Sequence, residues 1–318
     1  MLLGYVLEKT AMDIRTMKYF IAVAQAGSIT RAAQELHISQ PALSRQMIEL
    51  ERELGCKLLD RSGRAAALTA DGRLFLNRSK EIAGLFDKTT EEFRSGTAIG
   101  GDIHIGCSET QAMQTVADAV ARLSSTHPDV RVHLHSEDSD DVTEHLKHGL
   151  YDFGVMVGPA RTESFHTLRL PRPDTWGVMV RDDDSLAQLE RVRPEDLVET
   201  TLIVPEKEIA QHRLADWFGA MRPDLSAVAT CNLLFNGSLL VRAGVGAVLC
   251  LGDIVSAHEG SGLAFVPLDP PLTSYVDLVW SRAHELSPAG RALLESVSAL
   301  AEQEWSGAAQ AADSVPTR

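Results

Sequence analysis

Several things this chain lacks narrow its function before any motif is considered. Its four cysteines, Cys56, Cys107, Cys231 and Cys250, show none of the paired spacings of a metal or redox motif. That excludes a disulfide framework and fits a reduced cytoplasm. No run approaches the roughly 18–20 consecutive apolar residues of a membrane helix, so no membrane partner is expected. The opening MLLGYVL is too short for a signal-peptide core and has no basic lead, while Met12, opening MDIRTMKYF, reads as a natural start. Neither a GxSxG elbow nor a Gly-rich phosphate loop occurs, so the chain is expected to be no enzyme and to need no cofactor. His133 and His135 share a strand face and His145 and His148 are three apart, but no cysteine or carboxylate stands beside them at a distinctive ligand spacing. Surface histidines are therefore expected rather than a metal site.

The chain also lacks basic charge, with a net −14 over 318 residues. The deficit is local, because residues 1–72 hold nine Lys or Arg against eight Asp or Glu, while residues 73–318 hold 21 against 36. A near-neutral N-terminal part excludes an avid non-specific nucleic-acid binder but leaves room for a reader that uses a few placed cations.

The stretch Ala24–Gly55 describes such a device. A cap at Ser39 or Gln40, Pro41 in the first turn and an unbroken run to Gly55 define a helix on which Leu43, Met47, Leu50 and Leu54 form one apolar stripe. The other side carries Pro41, Ser44, Arg45 and Arg52, groups suited to base edges and phosphates in a major groove. Ser28 caps a shorter helix over about Thr30–Leu36, whose Ala32 and Ala33 permit close crossing, and His37-Ile38-Ser39 is the turn. Two short packed helices also occur in proteins that never touch DNA, so spacing alone leaves both readings open.

The run from Phe20 through AGSITRAAQELHISQPALSRQMIELERELGCKLLDR to LTADG at Leu68–Gly72 resembles the N-terminal domain of LysR-type transcriptional regulators, departing at Leu59, where that family usually has Phe. A first helix over Ile14–Ala26 backs the reader, and CKLLDRSGRAAALT suggests a two-stranded wing turning at Ser62-Gly63-Arg64. The residues expected at DNA are Ser28, Thr30, Arg31, Ser39, Gln40, Pro41, Ser44, Arg45, Arg52, Lys57, Arg61 and Arg64, the last two as phosphate contacts. Asp71 or Thr69 then caps a proline-free helix to Arg94, with Phe75, Ile82 and Thr89 seven apart and Leu85, Phe86 and Phe93 beside them. A seam of that kind predicts self-association as a dimer or tetramer, unless it packs on its own chain.

After Gly100-Gly101 the pattern becomes βαβαβ: a strand over Asp102–Ser108, a helix over Glu109–Ser125, a strand over Val130–Ser136, a helix over Asp138–Gly149 and a strand over Tyr151–Gly158. Ligands of open parallel sheets bind at strand carboxyl ends beside helix N-termini, so Ser108 and the backbone N–H groups after it are expected to meet a carboxylate or similar anion, although Ser108 could equally be an ordinary cap. The resemblance implies a periplasmic-binding-protein-like pair of subdomains with an effector between them. It adds Val157, Gly158, Val204, Pro205, Glu206, Cys231 and Asn232 to Cys107, Ser108, Glu109 and Thr110 as effector residues.

The expected architecture is thus α/β with an N-terminal winged helix-turn-helix domain (residues 13–71), a linker helix (72–96) and an effector domain (102–304) of two α/β subdomains, about 102–169 plus 273–304 and about 170–272, before a disordered tail at 305–318. The expected function is promoter binding modulated by a small molecule, with double-stranded DNA, that effector and further copies of the chain as partners, and RNA polymerase as one more open to such a regulator. The alternative is a small-molecule-binding module or enzyme on the same fold, with an N-terminus that does not bind DNA.

Overall fold

A computed structural model describes residues 12–60, 67–94, 99–158, 163–206, 213–219, 227–258 and 260–313, with side chains at all of these except 91–94 and 307–313. The chain divides into two compact units, residues 1–96 and 97–318. Among the described residues no helix is long and apolar enough to cross a membrane.

In the first unit, α1 (Ile14–Ala26) starts where Asp13 Oδ1 accepts from Thr16 N at 2.7 Å, and it stops at Gly27, whose φ of 61° few other residues adopt. α2 (Ile29–Glu35) begins with Ser28 Oγ accepting from Arg31 N at 3.4 Å. Its close crossing rests on fully buried Ala32 and Ala33, and the turn that follows puts His37 at a φ of 55°. α3 (Gln40–Leu54) carries Pro41 in its first turn and ends at left-handed Gly55. Leu43, Met47 and Leu50 are buried with Phe20, Val23, Leu58 and Leu59, so the period-3.6 stripe is the core of the unit.

The wing strands β1 (Leu59–Asp60) and β2 (Ala67–Leu68) pair antiparallel, and its tip, with Arg61 and Arg64, lies outside the described residues. α4 (Ala70–Arg94) is capped by Thr69, whose Oγ1 accepts from Gly72 N at 2.9 Å and donates to Lys57 O at 2.6 Å. Gly72 is forced by packing: a Cβ there would stand 2.1 Å from Leu58 O. Phe75 packs edge-on to Phe20 at 5.1 Å, so this member of the expected heptad is spent on its own chain, while Leu74, Ile82, Leu85 and Phe86 remain exposed.

The second unit contains two sheets. In the first, β3 (Gly101–Cys107), β4 (Val130–Ser136) and β5 (Phe153–Val157) run parallel in the order β4-β3-β5, and β13 (Val276–Ser281) and β6 (Phe165–Arg169) complete it antiparallel. α5 (Met113–Thr126) and α9 (Pro288–Asp313) cover one face, and α6 (Ser139–Lys147) packs Val142 and Leu146 on the other. The second sheet has the order β11-β7-β10-β8-β9, built from β7 (Asp174–Arg181), β8 (Leu202–Pro205), β9 (Ala229–Cys231), β10 (Ala247–Leu251) and β11 (Leu263–Pro267), with β12 (Thr273–Ser274) on β7. α7 (Arg213–Phe218) packs on one face and α8 (Leu234–Arg242) on the other. The chain therefore passes between sheets twice, after Arg169 and after Ser274.

Two elements differ from the sequence reading. α5 starts at Met113 rather than Glu109, because Thr110 and Gln111 are drawn to Asp174. α9 continues through Trp305 to Asp313, where a disordered tail from 305 is expected. The small residues there are mostly alanine, the strongest helix former, so small size is no sign of disorder.

Candidate functional site

On α3, Gln40, Pro41, Arg45 and Arg52 are exposed and Ser44 half-buried, opposite the stripe that anchors the helix. Ser39 stands at the cap position, exposed, but its hydroxyl makes no capping bond. Among the described residues Arg45 and Arg52 have no ion-pair partner, which leaves two guanidinium groups for an outside acceptor. Thr30 and Arg31 are exposed as well, but Arg31 Nε is 3.1 Å from Glu35 Oε1, and the Ser28 hydroxyl serves the α2 cap. Lys57 Nζ sits 3.1 Å from Glu51 Oε2, a buried carboxylate whose Oε1 accepts from Leu58 N and Leu59 N. Sequence patterning missed Glu51 because it stands in the charged run ELERE, which reads as solvated.

Between the two sheets of the second unit lies a cleft of about 160 Å³. Ser108 and Glu109 follow β3, Glu137, Asp138 and Ser139 follow β4, and Val157 ends β5. From the other side come Trp176, Pro205, Glu206, Cys231, Asn232, Leu233, Leu234, Leu249, Cys250, Leu251 and Ile254. Strand carboxyl ends and the starts of α6 and α8 thus meet at one place.

Four expected effector residues do not line it. Cys107 and Val204 point into the two sheet cores, Thr110 is buried with its Oγ1 donating to Asp174 Oδ2 at 2.6 Å, and Gly158 is buried with its N–H donating to Tyr275 O. Of the backbone N–H groups around that corner, Ser108 N donates to Val155 O, Gln111 N to Asp174 Oδ1 and Ala112 N to Thr110 Oγ1. Asp174 is 70% buried, and that burial raises its pKa, with both hydrogen bonds working the other way. Glu109 reaches across the cleft, its Oε2 accepting from Leu234 N at 2.6 Å, and Gln111 Nε2 donates to Asp253 O.

Comparison with known proteins decides what this architecture is. Residues 14–73 match the family described as bacterial regulatory helix-turn-helix protein, lysR family, and residues 97–302 match the LysR substrate binding domain. The chain belongs to the LysR family of transcriptional regulators. It is 30% identical over 289 residues to the HTH-type transcriptional regulator YnfL of Escherichia coli (strain K12), covering 88% of this chain and 96% of that one. It is 35% identical over 177 residues to the regulator TfdT of Cupriavidus pinatubonensis, covering 53% and 78%. The crystal structure of CbnR, a LysR family transcriptional regulator, shares the fold at a TM-score of 0.70 and 21% identity, covering 91% of this chain and 99% of that one. Full-length CbnR complexed with its target DNA gives 0.68 at 22%, covering 91% and 100%.

Three thiols of this LysR-type regulator, Cys107, Cys231 and Cys250, are made poorer nucleophiles by burial, which raises their pKa. At the cleft rim Glu137 is held by Tyr151, whose hydroxyl donates to Oε1 at 2.8 Å, and by His145 Nδ1, 3.0 Å from Oε2. Burial, then the bond to Glu137, push the Tyr151 pKa up, so it stays a donor. The His135 ring stacks on Tyr151 at 4.8 Å and lies 3.2 Å from His104 Nδ1 through its Nε2.

Burial lowers the His135 pKa from its ordinary 6.5, opposed by Glu137 and assisted by His133 and His145. The unfolded chain then takes up this proton first as pH falls, so stability is intact above pH 6.5 and declines below it until the folded state is protonated too. His135→Gln is expected to flatten the loss of melting temperature between about pH 6.5 and 5. An unchanged slope would mean that other groups set it.

Proposed function

We propose that this regulator reads promoter DNA in half-sites through α3 of paired copies, and that a small molecule in the cleft changes how those readers are presented. It works in the cytoplasm and catalyses no reaction. The observation that carries the DNA half of this reading is the α3 face itself, where Gln40, Pro41 and Arg45 project from a helix fixed on its other side by Leu43, Met47 and Leu50. A guanidinium with no ion-pair partner among the described residues, on a helix anchored by its core, can make a bidentate contact to guanine without disturbing the fold.

Arg45→Ala is expected to cost about 1–3 kcal/mol of discrimination between the promoter site and random duplex, with the thermal transition unchanged. Gel shifts at fixed salt against both duplexes measure it. Equal losses on both would make Arg45 a phosphate contact, and no loss would remove α3 as the reader.

The effector half is supported by the convergence of strand ends and helix starts from both sheets on one cleft, in the segment that matches the substrate binding domain of the family. Isothermal titration with candidate small molecules tests it, an effector being expected to change promoter occupancy as well as to bind.

A further inference from the structure

The polar lining of the cleft has one sign. Glu109, Glu137, Asp138 and Glu206 are its charged members, and among the described lining residues there is no lysine, arginine or histidine. Among the described residues an anionic ligand would therefore meet four carboxylates and no cation.

The chain's own acids already occupy backbone donors at the helix starts that usually welcome an anion. At α6, Asp138 Oδ1 accepts from Asp140 N at 2.9 Å and from Asp141 N at 3.1 Å. At α8, Glu109 Oε2 holds Leu234 N from across the cleft. Two further backbone donors nearby are taken, Ser108 N by Val155 O and Glu137 N by Cys107 O. An incoming carboxylate would find only neutral donors in the described lining, among them the Ser108 and Ser139 hydroxyls and the Asn232 amide, beside four carboxylates. An ammonium would find charged acceptors, because each carboxylate oxygen keeps lone-pair capacity beyond the bonds it already accepts.

Size and apolar character set the rest of the ligand. About 160 Å³ is close to the ~150 Å³ apolar cavity that accommodates benzene. The remaining walls are mostly carbon, from Val157, Trp176, Leu249, Leu251 and Ile254. Trp176 offers its ring rather than its donor, since Nε1 is committed to Ser274 Oγ at 2.8 Å. Glu137 is held from behind by Tyr151 and His145, and so presents its carboxylate at a fixed place.

We propose that the cleft selects a small organic cation, an amine with an apolar body of about one ring, its ammonium placed among Glu109, Glu137 and Glu206. This rests on reading the cleft as the effector site. It reverses the sign expected from the sequence, where Ser108 and free backbone N–H groups suggest an anion.

Three probes with one skeleton separate charge from shape: 2-phenylethylammonium, 2-phenylethanol and phenylacetate, each added to the full chain at up to about 5 mM while its melting temperature is followed. The ammonium is expected to raise the transition and phenylacetate to leave it unmoved. Titration calorimetry should then show the ammonium weakened by about tenfold or more in Glu206→Gln and in Glu137→Gln, as expected for loss of a charge-assisted contact. Ile254→Trp, which fills the cleft, should abolish the shift. A shift with phenylacetate alone, lost in Ile254→Trp, keeps the cleft as the effector site and overturns the cation. An ammonium shift that survives Ile254→Trp places the ligand elsewhere and overturns the cleft reading itself. No shift from any probe overturns the proposed ligand class, because the ammonium carries both features the lining is argued to select.

Discussion

Glu51→Ala will destabilise the helix-turn-helix unit by about 3 kcal/mol. The side chain is 2% exposed, and its Oε1 accepts from Leu58 N and Leu59 N, both at 3.0 Å. These N–H groups open the wing strand, where Leu58 and Leu59 are themselves core residues. Truncation leaves two buried donors without an acceptor, each costing roughly 1–3 kcal/mol. The ion pair with Lys57 contributes little beside this, because the lysine side chain is 74% exposed. Lys57→Ala is thus the control and should change stability by less than about 1 kcal/mol. Glu51→Gln should fall between, since its amide oxygen still accepts. Amide hydrogen exchange resolves the effect where it arises, with Leu58 and Leu59 losing protection in Glu51→Ala and keeping it in Lys57→Ala. Retained protection in Glu51→Ala would show that the carboxylate does not secure the wing.

That residue also marks where the sequence stopped being readable. The reader helix was legible because its information is local: an apolar residue every third or fourth position, a proline in the first turn, a glycine at the end. Glu51 stands four residues after Met47 and three before Leu54, on the stripe itself, yet nothing local names what a carboxylate there would bond, since its partners lie beyond the glycine that ends the helix.

The cleft repeats the lesson over longer distances. Strand ends and helix starts were readable from the βαβ rhythm, which brings Ser108, Val157 and Pro205 near one another. What Glu109 and Thr110 do there depends on Leu234, 125 residues away, and on Asp174, 64 residues away. A local reading sees an empty helix start at Ser108, and the fold brings Asp174 to it from elsewhere in the chain. Alternation along a strand also fails where both faces are covered: Val204 is buried in the core, and only its successors Pro205 and Glu206 reach the cleft.

The other large effect is expected on α4, whose two apolar stripes have different fates. Gly72, Ser79 and Ala83 are buried, with Phe75 set against Phe20, whereas Leu74, Ile82, Leu85 and Phe86 are exposed by 44–61%. Lys18 lies over the Phe86 ring at 5.9 Å and bonds Asp87, so Phe86 is partly shielded at its edge. Ile82 and Leu85 carry no such cover among the described residues, and they are three apart on the same side of the helix.

Burying an Ile or Leu side chain is worth about 1.5–3 kcal/mol. In a two-fold dimer each such contact is counted twice. Replacing both by glutamate adds four carboxylates to one seam, where burial without partners is costly. The double variant Ile82→Glu/Leu85→Glu is therefore expected to sediment as a smaller species than the parent at micromolar concentration, with its helical content retained. Two half-sites engaged by linked readers gain a factor of about 10²–10⁴ over one, and separating the readers forfeits that factor. Affinity for a two-half-site promoter should fall by that amount while affinity for an isolated half-site stays the same. If both fall together, α4 supports the fold of the reader. If neither falls, the copies associate through another surface.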